Sequence, residues 1–207
     1  NDGSARAAFT APSVSGQSDV LQEALDLSGV SSDDVTYIEA HGTGTPLGDP
    51  IETESIRRVY GNRNTHCHVG SVKGNVGHLN AAAGLAGLTK VIGVLERQVI
   101  PPTLRLKEYG ENPELGMSGT HLSLTPTAVS GETHDFAALS SFGFGGTNVH
   151  QILARSPAQK AENQQNQDAT IIPLSAKTDV ALDTMRNELA EKLASTEYNL
   201  SDVSKSL

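Results

Sequence analysis

Val35-Thr36-Tyr37-Ile38-Glu39-Ala40-His41-Gly42-Thr43-Gly44-Thr45-Pro46-Leu47-Gly48-Asp49-Pro50-Ile51-Glu52 is the stretch from which the fold can be read. Residues 35–38 form a short run of β-branched and aromatic side chains, which reads as a strand. A loop of glycine and threonine follows at 41–45. Asp49 can then cap a helix, Pro50 fits the first helical position, and Glu52 lies where a capping box places its acid. The helix is predicted over 50–60, with Gly61 as its stop. Strand, glycine loop and capped helix together are a unit of α/β proteins, whose ligands gather outside the carboxyl ends of strands.

Outward from this unit the same grammar repeats. Upstream, Val20, Leu21, Ala24 and Leu25 give residues 15–27 helical spacing, and Gly29 is a stop. Downstream, 68–72 reads as a second buried strand, ending in the loop Lys73-Gly74-Asn75-Val76-Gly77. His78 is predicted to open a helix that runs to Arg97, thinned by Ala81, Ala82, Ala83, Gly84, Ala86 and Gly87 and ended by Pro101-Pro102. Thr89 and Lys90 interrupt its apolar run, so it reads as a buried helix rather than a membrane span. Residues 103–117 are less regular. Strands are predicted at 121–124 and 136–141, with a polar loop around Gly131 between them. A third glycine loop, Gly143-Phe144-Gly145-Gly146-Thr147, leads into a β-like run at 148–153. The composition then turns to Gln, Asn, Ala and charge, as in a solvated linker. Beyond it, 171–175 reads as a strand. Residues 179–193 read as an amphipathic helix with Val180, Leu182, Met185, Leu189 and Leu193 on one side, and 198–207 as the start of another helix.

Composition narrows the function. The 207 residues carry a net charge of -9 and no basic stripe, which argues against nucleic-acid binding, where clustered Lys and Arg must neutralise phosphates. Cys67 is the single cysteine, so no intrachain disulfide forms, in keeping with a reducing, cytoplasmic setting. The chain opens on Asn1-Asp2-Gly3-Ser4, with neither an initiator Met nor a signal peptide pattern, and reads as a piece of a longer protein.

Chemistry concentrates in the three loops. Two carry histidines, His41 and His78. A neutral imidazole can donate from one nitrogen and accept through the other. At a helix N-terminus the dipole disfavours imidazolium, so His78 is expected to be a neutral donor able to stabilise an enolate or thioester oxyanion. Lys73 adds positive potential or pairs with Glu39 or Glu52. Asp49 and Glu52 read most simply as caps. His66, Cys67 and His68 could signal a metal, but neighbours on an extended segment point to opposite faces and no second cluster completes a site, so none is expected. Cys67 has no glycine elbow or helix start to activate it and reads as structural. His121, His134 and His150 receive no role. Spacing alone leads to an α/β chain with a candidate two-histidine site.

Taken in order, the motifs go further. The segment from Glu39 to Glu52 resembles the first histidine motif of polyketide synthase ketosynthases, the β-ketoacyl synthases. Val72-Lys73-Gly74-Asn75-Val76-Gly77-His78-Leu79 resembles their second, and Ser141-Phe142-Gly143-Phe144-Gly145-Gly146-Thr147-Asn148 their closing glycine loop. Asn1-Asp2-Gly3 and Thr10-Ala11-Pro12-Ser13 are similar to the segment that precedes the first histidine. Ile172-Pro173-Leu174-Ser175-Ala176-Lys177 resembles the start of the linker joining ketosynthase to acyltransferase.

The resemblance implies a thiolase-like layered fold. Residues 1–155 would be the C-terminal part of a ketosynthase, 156–170 a linker, and 171–207 the start of a small α/β linker subdomain. It also implies decarboxylative Claisen condensation of an acyl thioester with a malonyl-type extender. His41 and His78 match the catalytic histidines, and Lys73 the lysine that supports them. Thr43 and Thr45 match positions that bind the phosphopantetheine arm of acyl carrier protein; Phe144, Gly145 and Asn148 match the substrate loop. No cofactor is expected to bind directly. The implied partners are acyl carrier protein, the N-terminal half of the ketosynthase, a following acyltransferase domain and a second copy in a homodimer, with no nucleic acid or membrane. The family's nucleophilic cysteine matches no residue here, so the chain alone is expected to be inactive. A fatty-acid synthase ketosynthase and a non-catalytic ketosynthase-like scaffold are the alternatives.

Overall fold

A computed structural model describes residues 12–104, 120–157, 171–195, 200, 203 and 204. The predicted irregular stretch at 103–117 and the linker at 156–170 therefore lie largely outside the described residues, as do the segment 1–11 and most of 198–207. The chain divides into two compact units, residues 1–157 and 158–207.

In the first unit, helix α1 (Val14–Ser28) begins where the Ser13 side chain accepts the Gly16 N–H, and ends at Gly29 in the left-handed region, φ 67°. Strand β1 (Val35–Glu39) leads through the glycine loop into α2 (Gly48–Tyr60). Strand β2 (Cys67–Gly70) leads into a single helical turn, α3 (Lys73–Val76), then a 3₁₀ turn at Asn80–Ala82 and helix α4 (Ala83–Arg97). Strands β3 (Val99–Ile100), β4 (Leu122–Leu124), β5 (Val129–Ser130), β6 (Phe136–Phe142) and β7 (Asn148–Ala154) complete the unit. The main sheet has the order β4-β2-β1-β6-β7. The first four strands run parallel, and β7 returns antiparallel to β6 as a hairpin.

Alternation along the strands divides the core into two faces. Ile38, Val69, Leu122 and Ala138 pack with Leu21, Leu25, Ile56 and Tyr60 of α1 and α2. Tyr37, Ala137 and Leu139 pack with Val91, Val94 and Leu95 of α4. Val35 and Tyr37 would share a face in a regular strand, yet they fall on opposite sides. The register of β1 on β6 shifts between them, so Thr36 is the extra residue of a β-bulge.

Several expectations are corrected. Helix α2 starts at Gly48, and its N-cap Leu47 makes no side-chain cap bond; Asp49 lies inside the first turn. Pro50 is tolerated there because N–H groups of a first helical turn have no intrahelical partner. His78 does not open a helix: Gly77 (φ 76°, ψ -174°) ends α3 just before it, and the 3₁₀ turn separates it from α4. The loop around Gly131 contains a short strand, β5, that pairs with β3.

In the second unit, residues 171–176 carry no strand, and Pro173 could give no ladder N–H. Helix α5 (Asp179–Ser195) forms as predicted, with Thr178 Oγ1 accepting the Ala181 N–H. None of its residues is buried, although Leu189 and Leu193 are partly covered.

Candidate active site

Parallel pairing of β2, β1 and β6 brings their carboxyl ends, and the three glycine loops, to one end of the sheet. The imidazoles of His41 and His78 meet there edge to face, ring centroids 5.6 Å apart at 87°. The Phe142 ring lies 5.7 Å from His41. Phe144 stands 88% exposed at the hairpin tip, so the aromatic side chain against His41 is Phe142.

Each histidine is set by backbone chemistry. His41 and Gly42 turn their N–H groups onto the Glu52 carboxylate, at 2.7 and 2.8 Å. Gly42 has φ 49°, and a Cβ there would lie 2.8 Å from the Ser71 side chain, so the first loop presses on the start of the second. Asp49 Oδ1 accepts the Gly44 N–H at 3.0 Å. The two acids read as caps therefore hold the preceding loop instead. Thr45 Oγ1 accepts the Gly48 N–H at 3.0 Å and lies 3.2 Å from Thr43 Oγ1. On the second loop, Asn80 adopts φ 49° and gives its N–H to His78 Nδ1 at 3.1 Å. Accepting at Nδ1 leaves the proton of the neutral ring on Nε2, so His78 is a donor by tautomer rather than by helix dipole.

Electrostatics favour a neutral His41. Burial pushes its pKa down to about 4, helped by the nearby charge of Lys73. Burial also lowers Lys73, opposed by the carboxylates of Glu52, Glu39 and Asp49. Glu52 is pushed up to about 7 by burial, against the Gly42 and His41 N–H groups that pull it down. His41 Nδ1 and Asn148 Nδ2 are two of six side-chain polar atoms that are buried without a hydrogen-bond partner among the described residues. Buried polar atoms are rarely left so, and the one on His41 lies where the two imidazoles meet. The hairpin turn contributes Gly145 and Gly146 at φ 86° and 81°, closed by the Gly143 N–H to the Thr147 carbonyl.

Sequence reasoning passed over Lys90. Its Nζ lies 3.0 Å from Glu39 Oε2, so Glu39 is ion-paired to Lys90 and not to Lys73. The signal was present: a cation interrupting an apolar helix requires a partner when buried. Cys67 lies in the core, with burial pushing its thiol up to about 12. Cys67 turns inward while His66 and His68, two positions apart, share the other face with ring centroids 4.6 Å apart. Among the described residues, no group of three or more His, Cys, Asp or Glu is placed to hold a metal. No helix of the described residues is long and apolar enough to cross a membrane.

A family described as the beta-ketoacyl synthase C-terminal domain matches residues 1–107, and a ketoacyl-synthetase C-terminal extension matches 112–206. The chain belongs to the β-ketoacyl synthases. It is 40% identical across its whole length to a phenolphthiocerol/phthiocerol polyketide synthase protein of Mycobacterium tuberculosis. It is 42% identical over 98% of its length to the polyketide synthase PksN of Bacillus subtilis. It spans 14% and 4% of those two proteins, so this ketosynthase segment matches regions of much longer synthases. Among solved structures, the ketosynthase from module 1 of the bacillaene synthase of Bacillus amyloliquefaciens superposes with a TM-score of 0.79 at 40% identity. That match covers 99% of this chain and 38% of that one. The thiolase-like fold and the polyketide synthase ketosynthase family expected from the motifs both hold.

Proposed function

We propose that this ketosynthase segment supplies the decarboxylation and enolate-holding side of a condensing site. The observation that carries the reading is the His41–His78 pair, 5.6 Å apart at the shared ends of β1 and β2. A malonyl-type thioester borne on the phosphopantetheine of acyl carrier protein lies with its thioester oxygen between the rings. The bond to the carboxylate carbon breaks, carbon dioxide leaves, and the electron pair moves into the thioester as an enolate. His78 Nε2–H and neutral His41 donate to that oxygen, where charge develops. The enolate carbon then attacks an acyl thioester on the cysteine of the N-terminal half, and the cysteine thiolate departs.

In this reading Lys73 contributes positive potential. Thr43 and Thr45 hold the pantetheine arm, and Phe144, Gly145 and Asn148 line the acyl side. Residues 1–155 serve as the C-terminal ketosynthase portion, 156–170 as linker and 171–207 as the start of the subdomain leading to an acyltransferase, in a homodimeric synthase.

The test is made in a complete ketosynthase carrying this chain. His78→Ala and His41→Ala are expected to lower carbon dioxide release from malonyl-carrier protein by about 10²–10³-fold, the usual effect of removing one oxyanion donor. Cysteine acylation, read by mass spectrometry, is expected to persist. Undiminished carbon dioxide release from both variants overturns the proposal.

A further inference from the structure

Glu39 ends β1, two residues before His41, and is 1% exposed. Its Oε1 accepts the N–H of Val72, the residue before Lys73, at 2.6 Å. Its Oε2 accepts the Tyr37 hydroxyl at 2.5 Å and lies 3.0 Å from Nζ of Lys90 on α4. The ammonium is also 5.4 Å from the Tyr37 ring centroid. Helix α4 approaches this group at Gly87, where a Cβ would lie 3.3 Å from Glu39 Cγ and 2.7 Å from Leu139 Cδ1.

Stability alone gives little reason for such a pair. Two buried charges lose hydration that their attraction need not repay, and apolar residues of similar volume often serve as well or better. What the carboxylate does that an apolar side chain cannot is join three elements. It lies on the strand that delivers His41, binds the backbone entering the loop of Lys73 and His78, and is clamped by α4. The backbone repeats the tie one step away, where the Ala40 N–H donates to the Gly70 carbonyl at 2.8 Å.

We propose that Glu39, held by Lys90, is a positioning residue that sets the loop from Lys73 to His78 against His41, so that both imidazoles face one extender unit. This rests on the reading of the two histidines as the decarboxylating pair. Glu39 touches no substrate and acts through the Val72 N–H. A bond to an ionised acceptor is roughly twice as strong as a neutral one, so an amide side chain holds that N–H less firmly.

The experiment compares E39Q and the double variant E39Q/K90M with wild type in the complete ketosynthase. Decarboxylation kcat and KM, cysteine acylation, amide exchange across 72–80 and thermal melting are measured. E39Q is expected to lower kcat by about 10²-fold, the scale of an ångström-size misplacement, with KM and acylation unchanged and faster exchange at Val72. The double variant removes the ammonium left without a counter-charge; it is expected to regain melting temperature but not kcat. If E39Q fails to fold, the double variant carries the test. A double variant with wild-type kcat and wild-type exchange overturns the inference, as does an E39Q that melts earlier while its folded fraction turns over normally. His41→Ala and His78→Ala are run beside them. If those variants release carbon dioxide normally, the histidine reading fails; if they do not while E39Q/K90M does, only the role of Glu39 fails.

Discussion

The backbone N–H of His41 donates to Oε1 of Glu52 at 2.7 Å, tying the first residue of the glycine loop to the helix that follows it. Oε2 takes the next N–H, from Gly42. Glu52→Ala strips both amides of their acceptor, and an unsatisfied buried donor costs about 1–3 kcal/mol. The variant is expected to melt earlier and to lose decarboxylation by at least about tenfold, because the His41 ring is carried on that backbone. Glu52→Gln keeps one acceptor oxygen and should fall between. Calorimetry and carbon dioxide release measure the two effects; wild-type values in both variants would show that the loop holds its shape without the carboxylate.

Thr43 and Thr45 lie side by side but carry different loads. The Thr45 hydroxyl accepts the Gly48 N–H at the start of α2, whereas the hydroxyl of Thr43 has Thr45 as its neighbour. Thr43→Val is expected to raise KM for carrier-bound extender by about 2- to 10-fold, the equivalent of one hydrogen bond, with kcat unchanged. Thr45→Val should show the same rise in KM together with a lower melting temperature. Steady-state kinetics with short thioester mimics lacking the pantetheine arm provide the control, since neither substitution should matter there.

His150 makes the fold sensitive to acid. It bridges the Tyr60 hydroxyl at Nε2 and the Ser140 hydroxyl at Nδ1, at 2.8 and 3.0 Å, and burial holds its pKa down to about 4. Between pH 6.5 and 4 the unfolded chain therefore binds a proton that the folded one refuses. The contribution of His150 is complete above pH 6.5 and is lost as pH falls towards 4, in total roughly 3 kcal/mol. Glu52, raised to about 7, has the opposite sign: it favours the fold when protonated, and that advantage is lost as pH rises from 4.5 to 7. A His150→Gln variant separates them, because Glu52 cancels in the difference. The wild-type stability curve should be steeper than the variant's by about 1.4 kcal/mol per pH unit in the acid window. Parallel curves would show that His150 is protonated in the folded state.

What could be read beforehand follows the range of the interactions. Helices α1 and α5 and the strands of the main sheet show in the local spacing of apolar residues and in glycine stops, which act within one or two turns. Spacing alone offers His41 and His78 as a candidate pair and the order of three motifs implies their roles, but the geometry of their meeting is not legible, since sheet pairing across distant segments leaves no periodic trace. Asp49 and Glu52 were misread because a capping acid and a loop-anchoring acid occupy the same sequence positions; only the chain path decides which N–H groups they meet. The pairing of β3 with β5 was invisible because two-residue strands carry no pattern. Lys90 could have been flagged from its apolar surroundings, but its partner could not, because Glu39, Glu52 and Asp49 were all available acids.

The extra residue at Thr36 has a consequence for the site. Counting back from His41, every side chain on β1 is assigned to the α4 layer or to the α1 and α2 layer by an odd or even step, and the bulge resets that count. Removing Thr36 would cost β1 none of its positions paired with β6. Val35 and Tyr37, already on opposite layers, would become consecutive and alternate as in a regular strand, with Tyr37 and Glu39 still facing α4. A one-residue deletion is thus absorbed at Thr36, whereas one between Tyr37 and His41 would turn Tyr37 to the opposite layer.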